Sequence, residues 1–183
     1  MDEHKTLTEK IAIERMPDPE IVYIPMSQHI GAPNTPTVKK GDKVKVGQVV
    51  GRSDAFISAA VHTGISGEVI GIEKMYTADA RYCDCVVIKN DGLNEEVEAK
   101  PFLDYRDHPV DDLVPFIKEM GIVGMGGAGF PLHAKLKGDN PPLDECIING
   151  AECEPFLTCD HRIMLERTEE ILEGLDIFSF YYN

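Results

Sequence analysis

The sequence is poor in basic residues and has no long hydrophobic run, and each absence excludes a class of partner. Its 183 residues include 18 Lys and Arg against 32 Asp and Glu, which gives a net charge of −14. An acidic chain repels phosphate backbones and anionic lipid surfaces, so we expect no nucleic-acid partner. No stretch approaches the ~18 consecutive apolar residues of a transmembrane helix, so we expect no direct membrane span.

A targeting signal and the common cysteine motifs are also missing. Residues 1–5 are polar and no apolar segment follows them, which indicates a cytoplasmic protein. The chain has no Cys-x-x-Cys pair and no iron–sulfur run of the bacterial type, and we expect no metal site. The last three cysteines either cluster in space or are separate buried thiols near a strand end, and we expect the second. The five cysteines are Cys83, Cys85, Cys146, Cys153 and Cys159.

The first half of the chain has the pattern of a small all-β domain. Short apolar runs rich in β-branched residues are separated by glycine turns from residue 20 to about residue 91, which predicts a β-barrel or sandwich. The runs lie at 21–24, 44–46, 48–50, 68–72 and 85–88. Residues 1–19 have no clear period and predict an extended arm.

The second half changes to an alternation of helix and strand. After an acidic stretch at 93–110, apolar residues recur at helical spacing up to Gly121, residues 143–149 predict a buried strand, and 160–174 predict an amphipathic helix. This alternation predicts an α/β domain. The expected division is an arm at 1–19, a barrel at 20–100 and an α/β domain at 108–183.

Within the predicted barrel, residues 38–51 and 66–70 resemble the two halves of a lipoyl or biotinyl carrier domain. Such a barrel-sandwich hybrid carries its modifiable lysine on the hairpin between the halves, but no lysine occurs between Lys45 and Lys74. We therefore exclude a swinging-arm carrier and expect a scaffold or docking barrel. His62 is interpreted as a turn histidine with satisfied hydrogen bonds, with a functional role as the alternative, and residues 27–33 as a loop that packs.

Residues 121–131 contain five glycines in nine residues and a GxGxxG match at Gly124, Gly126 and Gly129. The strand before and the long helix after that a dinucleotide fingerprint requires are missing. A glycine-rich loop nevertheless exposes N–H groups that approach a ligand without a Cβ clash, and Lys135 is placed to meet a bound phosphate. An anion site and a tight turn with a solvated lysine both fit this spacing.

The polar loop after the predicted strand at 143–149 is the second candidate. Ligands of α/β sheets bind beyond the carboxyl ends of strands. Asn149 donates and accepts hydrogen bonds, while Glu152 and Glu154 accept from hydroxyl or ring N–H groups. Ordinary loop carboxylates are the alternative, and with no companion nucleophile we assign no catalytic residue.

Together, these motifs resemble the RnfC family, the peripheral NADH-reacting subunit of the Rnf electron-transport complex. The resemblance rests on residues 121–131, Lys135, 148–155 and 160–162, and it extends to the barrel without its lysine. The sequence is also similar to an RnfC-like electron-transfer protein associated with proline reductase and to the FMN-binding 51-kDa subunit of complex I. The resemblance covers about residues 20–175.

The resemblance implies a lipoyl-like barrel-sandwich hybrid followed by the first part of an α/β FMN-binding domain. Electrons would move between NADH and FMN and then to iron–sulfur clusters. The partners would be other subunits of a membrane-associated electron-transport complex, or a reductase, with the chain peripheral on the cytoplasmic membrane face. The implied FMN contacts are Gly124, Gly126, Gly127, Gly129 and Lys135 on the phosphate side, and Asn149, Glu152 and Glu154 towards the flavin.

RnfC proteins are longer than this chain and carry two cysteine-rich cluster motifs that it does not contain. We therefore expect an N-terminal portion of such a protein, with no iron–sulfur cluster, half of a flavin pocket that binds weakly, and little activity alone. A non-catalytic docking module and a truncated product without an independent role are the alternatives. We also expect the family pattern to stop near residue 175, before the aromatic tail at 178–183.

Overall fold

The computed structural model describes residues 4–78, 80–98, 105–125, 127–137 and 143–182. These residues belong to two compact units. One unit spans Pro17–Gly138, and the other combines Met1–Met16 with Asp139–Asn183. The boundaries expected from the sequence, at residues 20, 100 and 108, remain predictions.

The larger unit is built around two antiparallel sheets. One sheet has four strands in the order β1-β7-β6-β3, and the other has three in the order β2-β4-β5. The predicted apolar runs coincide with five of these strands, because β-branched residues between glycine turns suit a pleated, half-buried surface. The strands are β1 (Ile21–Pro25), β2 (Thr35–Pro36), β3 (Lys43–Val44), β4 (Val49–Arg52), β5 (Val61–His62), β6 (Gly67–Tyr76) and β7 (Tyr82–Asn90).

The core of this unit lies between the sheets. Strand β7 is buried on both faces, and its Val86 and Ile88 join the central apolar cluster. The register of β6 against β7 shifts between Val69 and Gly71, a bulge that bends the long strand around the core. Besides these, the cluster comprises Ile24, Met26, Val38, Val44, Val50, Val61, Ile65 and Val69. The predicted β-rich barrel is thus confirmed.

Two helices complete the larger unit, α1 (Val110–Glu119) and α2 (Leu132–Leu136). Leu113 and Ile117 of α1 and Leu136 of α2 are buried, which accounts for the helical spacing of apolar residues in α1. Helix α1 stops where predicted, because Gly121 directly beyond its end takes the left-handed conformation, with φ of +72°.

The smaller unit contains α3 (Cys159–Glu166) and α4 (Thr168–Tyr182), where the sequence predicted a single helix at 160–174. The break falls at Arg167, whose φ of −131° and ψ of 34° are not helical. Helix α4 continues through the aromatic tail, where the rings of Phe178 and Tyr182, one helical turn apart, have centroids 4.9 Å apart. None of the described helices is long and apolar enough to cross a bilayer.

The buried strand predicted at 143–149 is wrong. This segment is irregular, and Ile147 is 85% exposed. Among its described residues the smaller unit has no strand that would complete the ladder of backbone hydrogen bonds, so the apolar run alone does not make a strand. The expectation of buried thiols fails for the same reason, because Cys146 and Cys153 lie in this exposed loop and Cys159 is exposed at the start of α3.

Candidate functional site

The glycine-rich segment forms a loop that backbone hydrogen bonds close at its base. The N–H of Gly124 donates to the carbonyl of Phe130 at 2.9 Å, and the N–H of Leu132 donates to that of Ile122 at 2.9 Å. Val123 and Pro131 form an antiparallel bridge between these two bonds. We call residues 124–130 the glycine loop. The Gly124 N–H is therefore used inside the loop and is not a donor to a ligand.

Two glycines of this segment are required by packing against the barrel. Gly121 and Gly129 have φ of +72° and +65°, a region that costs other residues free energy. A Cβ on Gly121 would lie 2.4 Å from the carbonyl oxygen of Ala60, and one on Gly129 would lie 3.1 Å from Cα of His29. Glycine at these positions has a structural cause that is independent of any ligand.

The tip of the glycine loop is open to solvent and lies near a cation. A Cβ on Gly127 would meet no atom within 4 Å, and Met125 is 91% exposed. Among the described residues, the N–H groups of Gly127 and Ala128 have no hydrogen-bond partner. The ammonium of Lys135 lies 3.8 Å from the position a Cβ on Gly124 would take. Free amides beside an ammonium fit a phosphate group. Gly126 lies outside the described residues.

The barrel loop at 53–60 supports the glycine loop from below. This is the hairpin on which a carrier domain would bear its lysine, and here its carbonyls accept hydrogen bonds from both helices. Lys118 Nζ of α1 donates to the Ala55 oxygen at 2.8 Å, and His133 Nε2 of α2 donates to the Phe56 oxygen at 2.7 Å. Sequence reasoning missed these partners, because no local pattern joins residues that are 77 positions apart.

The run at 27–33, expected to be a packing loop, links the 53–60 loop with the glycine loop. His29 is 3% exposed, and its Nδ1–H donates to the Ile30 carbonyl at 3.0 Å. Its Nε2 accepts the N–H of Ala59 at 3.1 Å, which identifies the neutral tautomer. The N–H of Ile30 in turn reaches the carbonyl of Gly129 at 3.4 Å. The buried histidine is thus part of the support.

His62 is half-buried and hydrogen-bonded to the backbone of Glu119, as expected for a satisfied turn histidine. Burial lowers the pKa of His62, helped by the charge of Arg52 and opposed by the carboxylate of Glu119. Arg52 and Glu119 themselves form an ion pair. Within the described part of the chain, His62 has these partners at the base of the barrel and no nucleophile to activate.

The second candidate loop belongs to the smaller unit, and its acid holds a helix end. Glu152 Oε1 accepts the N–H groups of Asp160 at 2.8 Å and His161 at 3.1 Å, and Oε2 accepts the Cys159 thiol at 3.4 Å. Partial desolvation would raise the pKa of the Glu152 carboxyl, but these hydrogen bonds outweigh it and lower that pKa. Glu152 therefore satisfies free N–H groups in the first turn of α3.

The other two residues predicted in this loop are differently placed. Asn149 Oδ1 accepts the N–H of Ala151 at 3.0 Å, which closes a local turn, and Glu154 is exposed. Among the described residues, Glu152, Cys159 and Asp160 form a group of three possible metal ligands within 4.8 Å of one another. The hydrogen bond to Glu152 raises the pKa of the Cys159 thiol, so the group is held together by protons.

The structure thus gathers the predicted residues into two sets. Gly124, Gly127, Gly129 and Lys135 lie together at the glycine loop of the larger unit. Asn149, Glu152 and Glu154 lie in one loop of the smaller unit. The supporting residues His29, Phe56 and His133 were not predicted.

Comparison with domain families identifies both halves of the chain. Residues 1–93 match the RnfC barrel sandwich hybrid domain, and residues 117–183 match the Nuo51 FMN-binding domain. The second match runs through the aromatic tail. The prediction that the family pattern stops near residue 175 is therefore wrong, because the tail is part of helix α4.

Curated relatives, each an RnfC-type component of a larger complex, align over most or all of the chain. The chain is 44% identical to one from the proton-translocating ferredoxin:NAD(+) oxidoreductase complex of Clostridium ljungdahlii, over 100% of this chain and 40% of the relative. It is 45% identical to one from the Na(+)-translocating ferredoxin:NAD(+) oxidoreductase complex of Acetobacterium woodii, over 87% and 36%. It is 39% identical to one from the ion-translocating oxidoreductase complex of Rhodobacter capsulatus, over 96% and 34%. The chain therefore spans two fifths or less of the length of these relatives.

Proposed function

The chain belongs to the RnfC family, and on this premise we propose that it binds FMN as part of an electron-transfer subunit. The observation that carries the proposal is the glycine loop, closed at its base and open at its tip. Its free N–H groups at Gly127 and Ala128 and the ammonium of Lys135 form a donor set for a phosphate. This loop lies within the region that matches an FMN-binding domain, which supports FMN over other phosphate ligands.

In this proposal, each loop has a separate task. Lys135 and the backbone of Gly124, Gly126, Gly127 and Gly129 hold the phosphate end of the cofactor. Asn149 and Glu154, which are exposed, accept or donate hydrogen bonds towards the flavin, and Glu152 orders their loop through its bonds to α3. When bound, FMN supplies acceptance of a hydride and release of single electrons.

We propose further that the donor of the hydride is NADH and that iron–sulfur clusters outside this chain take the electrons. The five cysteines include no cluster motif, which supports the absence of a cluster here. The relatives are named as subunits of ion-translocating oxidoreductase complexes, which supports other subunits of such a complex as partners. A peripheral position on the cytoplasmic membrane face is the corresponding location.

The experiment is a titration of the chain with FMN and, separately, with riboflavin, which lacks the phosphate. Flavin fluorescence and absorbance near roughly 450 nm report binding. We expect Lys135→Met to weaken FMN binding about tenfold or more, because a charge-assisted hydrogen bond to the phosphate is lost, and to leave riboflavin binding unchanged.

Lys137→Met is the matched control, since the Lys137 ammonium lies over the ring of Phe56, 5.0 Å from its centroid, and removing it leaves both flavins bound as before. Equal loss of FMN and riboflavin in Lys135→Met would contradict the phosphate role of Lys135. A chain that binds neither flavin would overturn the proposal and favour a non-catalytic docking module, the alternative suggested by the lysine-free barrel.

A further inference from the structure

His133 is a buried polar residue that the proposed cofactor contacts do not use. It lies in the first turn of α2 and is 1% exposed. Its Nε2–H donates to the Phe56 carbonyl at 2.7 Å, and its ring meets the Phe56 ring edge-on, with centroids 5.6 Å apart. Its buried Nδ1 finds no hydrogen-bond partner among the described residues. The hydrogen bond that this ring does make is therefore the one that joins α2 to the barrel.

The acceptor of that bond is itself firmly placed. Within the 53–60 loop, Lys118 Nζ holds the Ala55 carbonyl at 2.8 Å, and the N–H of Ala32 holds the Ile57 carbonyl at 3.0 Å. The Phe56 carbonyl lies between these two anchored carbonyls. A hydrogen bond to it transmits the position of the barrel to α2.

The donor side leads directly to the cation of the candidate phosphate site. Lys135 follows His133 by two residues in the same short helix, and its ammonium lies beside Gly124. Leu136, the buried apolar residue of α2, fixes the depth of the helix, but apolar packing is non-directional and leaves the rotation of α2 about its own axis weakly determined. A directional bond at His133 sets that rotation.

We propose that His133 is a positioning residue. Through the Phe56 carbonyl it fixes α2 against the 53–60 loop, and so places the Lys135 ammonium over the glycine loop. The inference deepens the proposed function, on which its ligand part rests. It also gives the lysine-free hairpin of the barrel a task, which is to hold the loop that holds the cofactor.

The first test needs no ligand. Amide hydrogen exchange of peptides covering residues 121–137 is measured in the whole chain for wild type, His133→Gln and His133→Asn. Gln carries an N–H at the distance of Nε2 and keeps the bond to Phe56, whereas the shorter Asn does not reach it. We expect about tenfold faster exchange in Asn and near wild-type exchange in Gln, the size expected for one main-chain acceptor lost. Equal exchange in Asn and wild type would overturn the inference.

The second test compares FMN with riboflavin for the same variants. Misplacing Lys135 weakens the phosphate contact alone, so we expect the preference for FMN to fall at least about fivefold in His133→Asn and to recover in His133→Gln. Thr63→Val is the matched control. It removes a 2.8 Å bond from a buried hydroxyl to the Ile65 carbonyl, elsewhere in the barrel, and so lowers stability without changing the preference.

The two tests separate the inference from the proposed function. If wild type binds no flavin, the proposed function fails, and the exchange test still decides whether His133 positions the loop. If flavin binds and Thr63→Val changes the FMN preference as much as His133→Asn does, the effect is general destabilisation and the inference is overturned.

Discussion

At the scale of single residues, the glycines of residues 121–131 have different causes. Gly121 and Gly129 are glycines because their φ is positive and barrel backbone lies against them. Gly127 has open space around it, so nothing in the structure itself demands glycine there. A ligand that approaches the backbone would supply that demand.

This difference predicts opposite results for two alanine substitutions. Gly129→Ala should lower the free energy of unfolding by about 1–3 kcal/mol, because alanine takes φ of +65° only under strain and its Cβ presses on His29. Gly127→Ala should leave it within about 0.5 kcal/mol of wild type or raise it slightly. Urea unfolding followed by circular dichroism measures both. A Gly129→Ala chain as stable as wild type would mean that the contact with His29 is not tight.

The residue pattern predicted the candidate site only as far as local spacing reaches. The glycine content and the position of Lys135 indicated an anion site, and the structure places that ammonium beside Gly124. Spacing did not reveal that Gly124 spends its N–H on Phe130, or that His133 is bonded to Phe56. Those pairings depend on tertiary packing, which a single sequence does not encode in any local signal.

At the scale of elements, helix α3 depends on an acid outside it. Replacing Glu152 with Ala should remove the acceptor of the Asp160 and His161 N–H groups and speed their exchange. Glu154→Ala, in the same loop but exposed, is the matched control and should change neither. Two-dimensional NMR of the amides distinguishes the variants, and unchanged exchange in Glu152→Ala would disprove the capping role.

The same cap has a defined pH dependence. Because the pKa of the folded Glu152 carboxyl is lowered, its stabilising contribution is complete above the ordinary pKa of a glutamate, and it is lost as the pH falls through the lowered folded value. Protection of the Asp160 and His161 amides in wild type should therefore persist below pH about 4.3 before it decays. Protection in Glu152→Ala has no such step.

Element prediction succeeded where neighbours exist and failed where they do not. The run at 85–88 became the central strand β7, since β1 and β6 pair with it on both sides. The run at 143–149 has the same apolar character, but the described part of its unit offers no partner strand. The helix at 160–174 was predicted, but not its break at Arg167, because no glycine or proline marks that position.

At the scale of the whole molecule, the two units differ in how much they bury. The larger unit contains the apolar cluster between its sheets. In the smaller unit Thr158 is the buried residue among those described, and neither α3 nor α4 buries any side chain whose burial is described. Local stability follows burial, so the units should open at different free energies.

Hydrogen exchange of the whole chain, read by mass spectrometry, tests this difference. We expect amides of β1, β6 and β7 to exchange slowest and those of α3 and α4 to exchange orders of magnitude faster, after correction with an unfolded reference. Equal protection in both units would show that the smaller unit is stabilised by more than its own buried surface.

The closed base of the glycine loop also bears on the rate of ligand binding. A loop whose backbone is already fixed by Gly124 and Leu132 has little conformational freedom left to lose when a phosphate arrives. Capture is then a single encounter whose observed rate rises in proportion to ligand concentration, without a plateau. Selectivity among phosphorylated ligands accordingly lies in how long each one stays rather than in how quickly it enters.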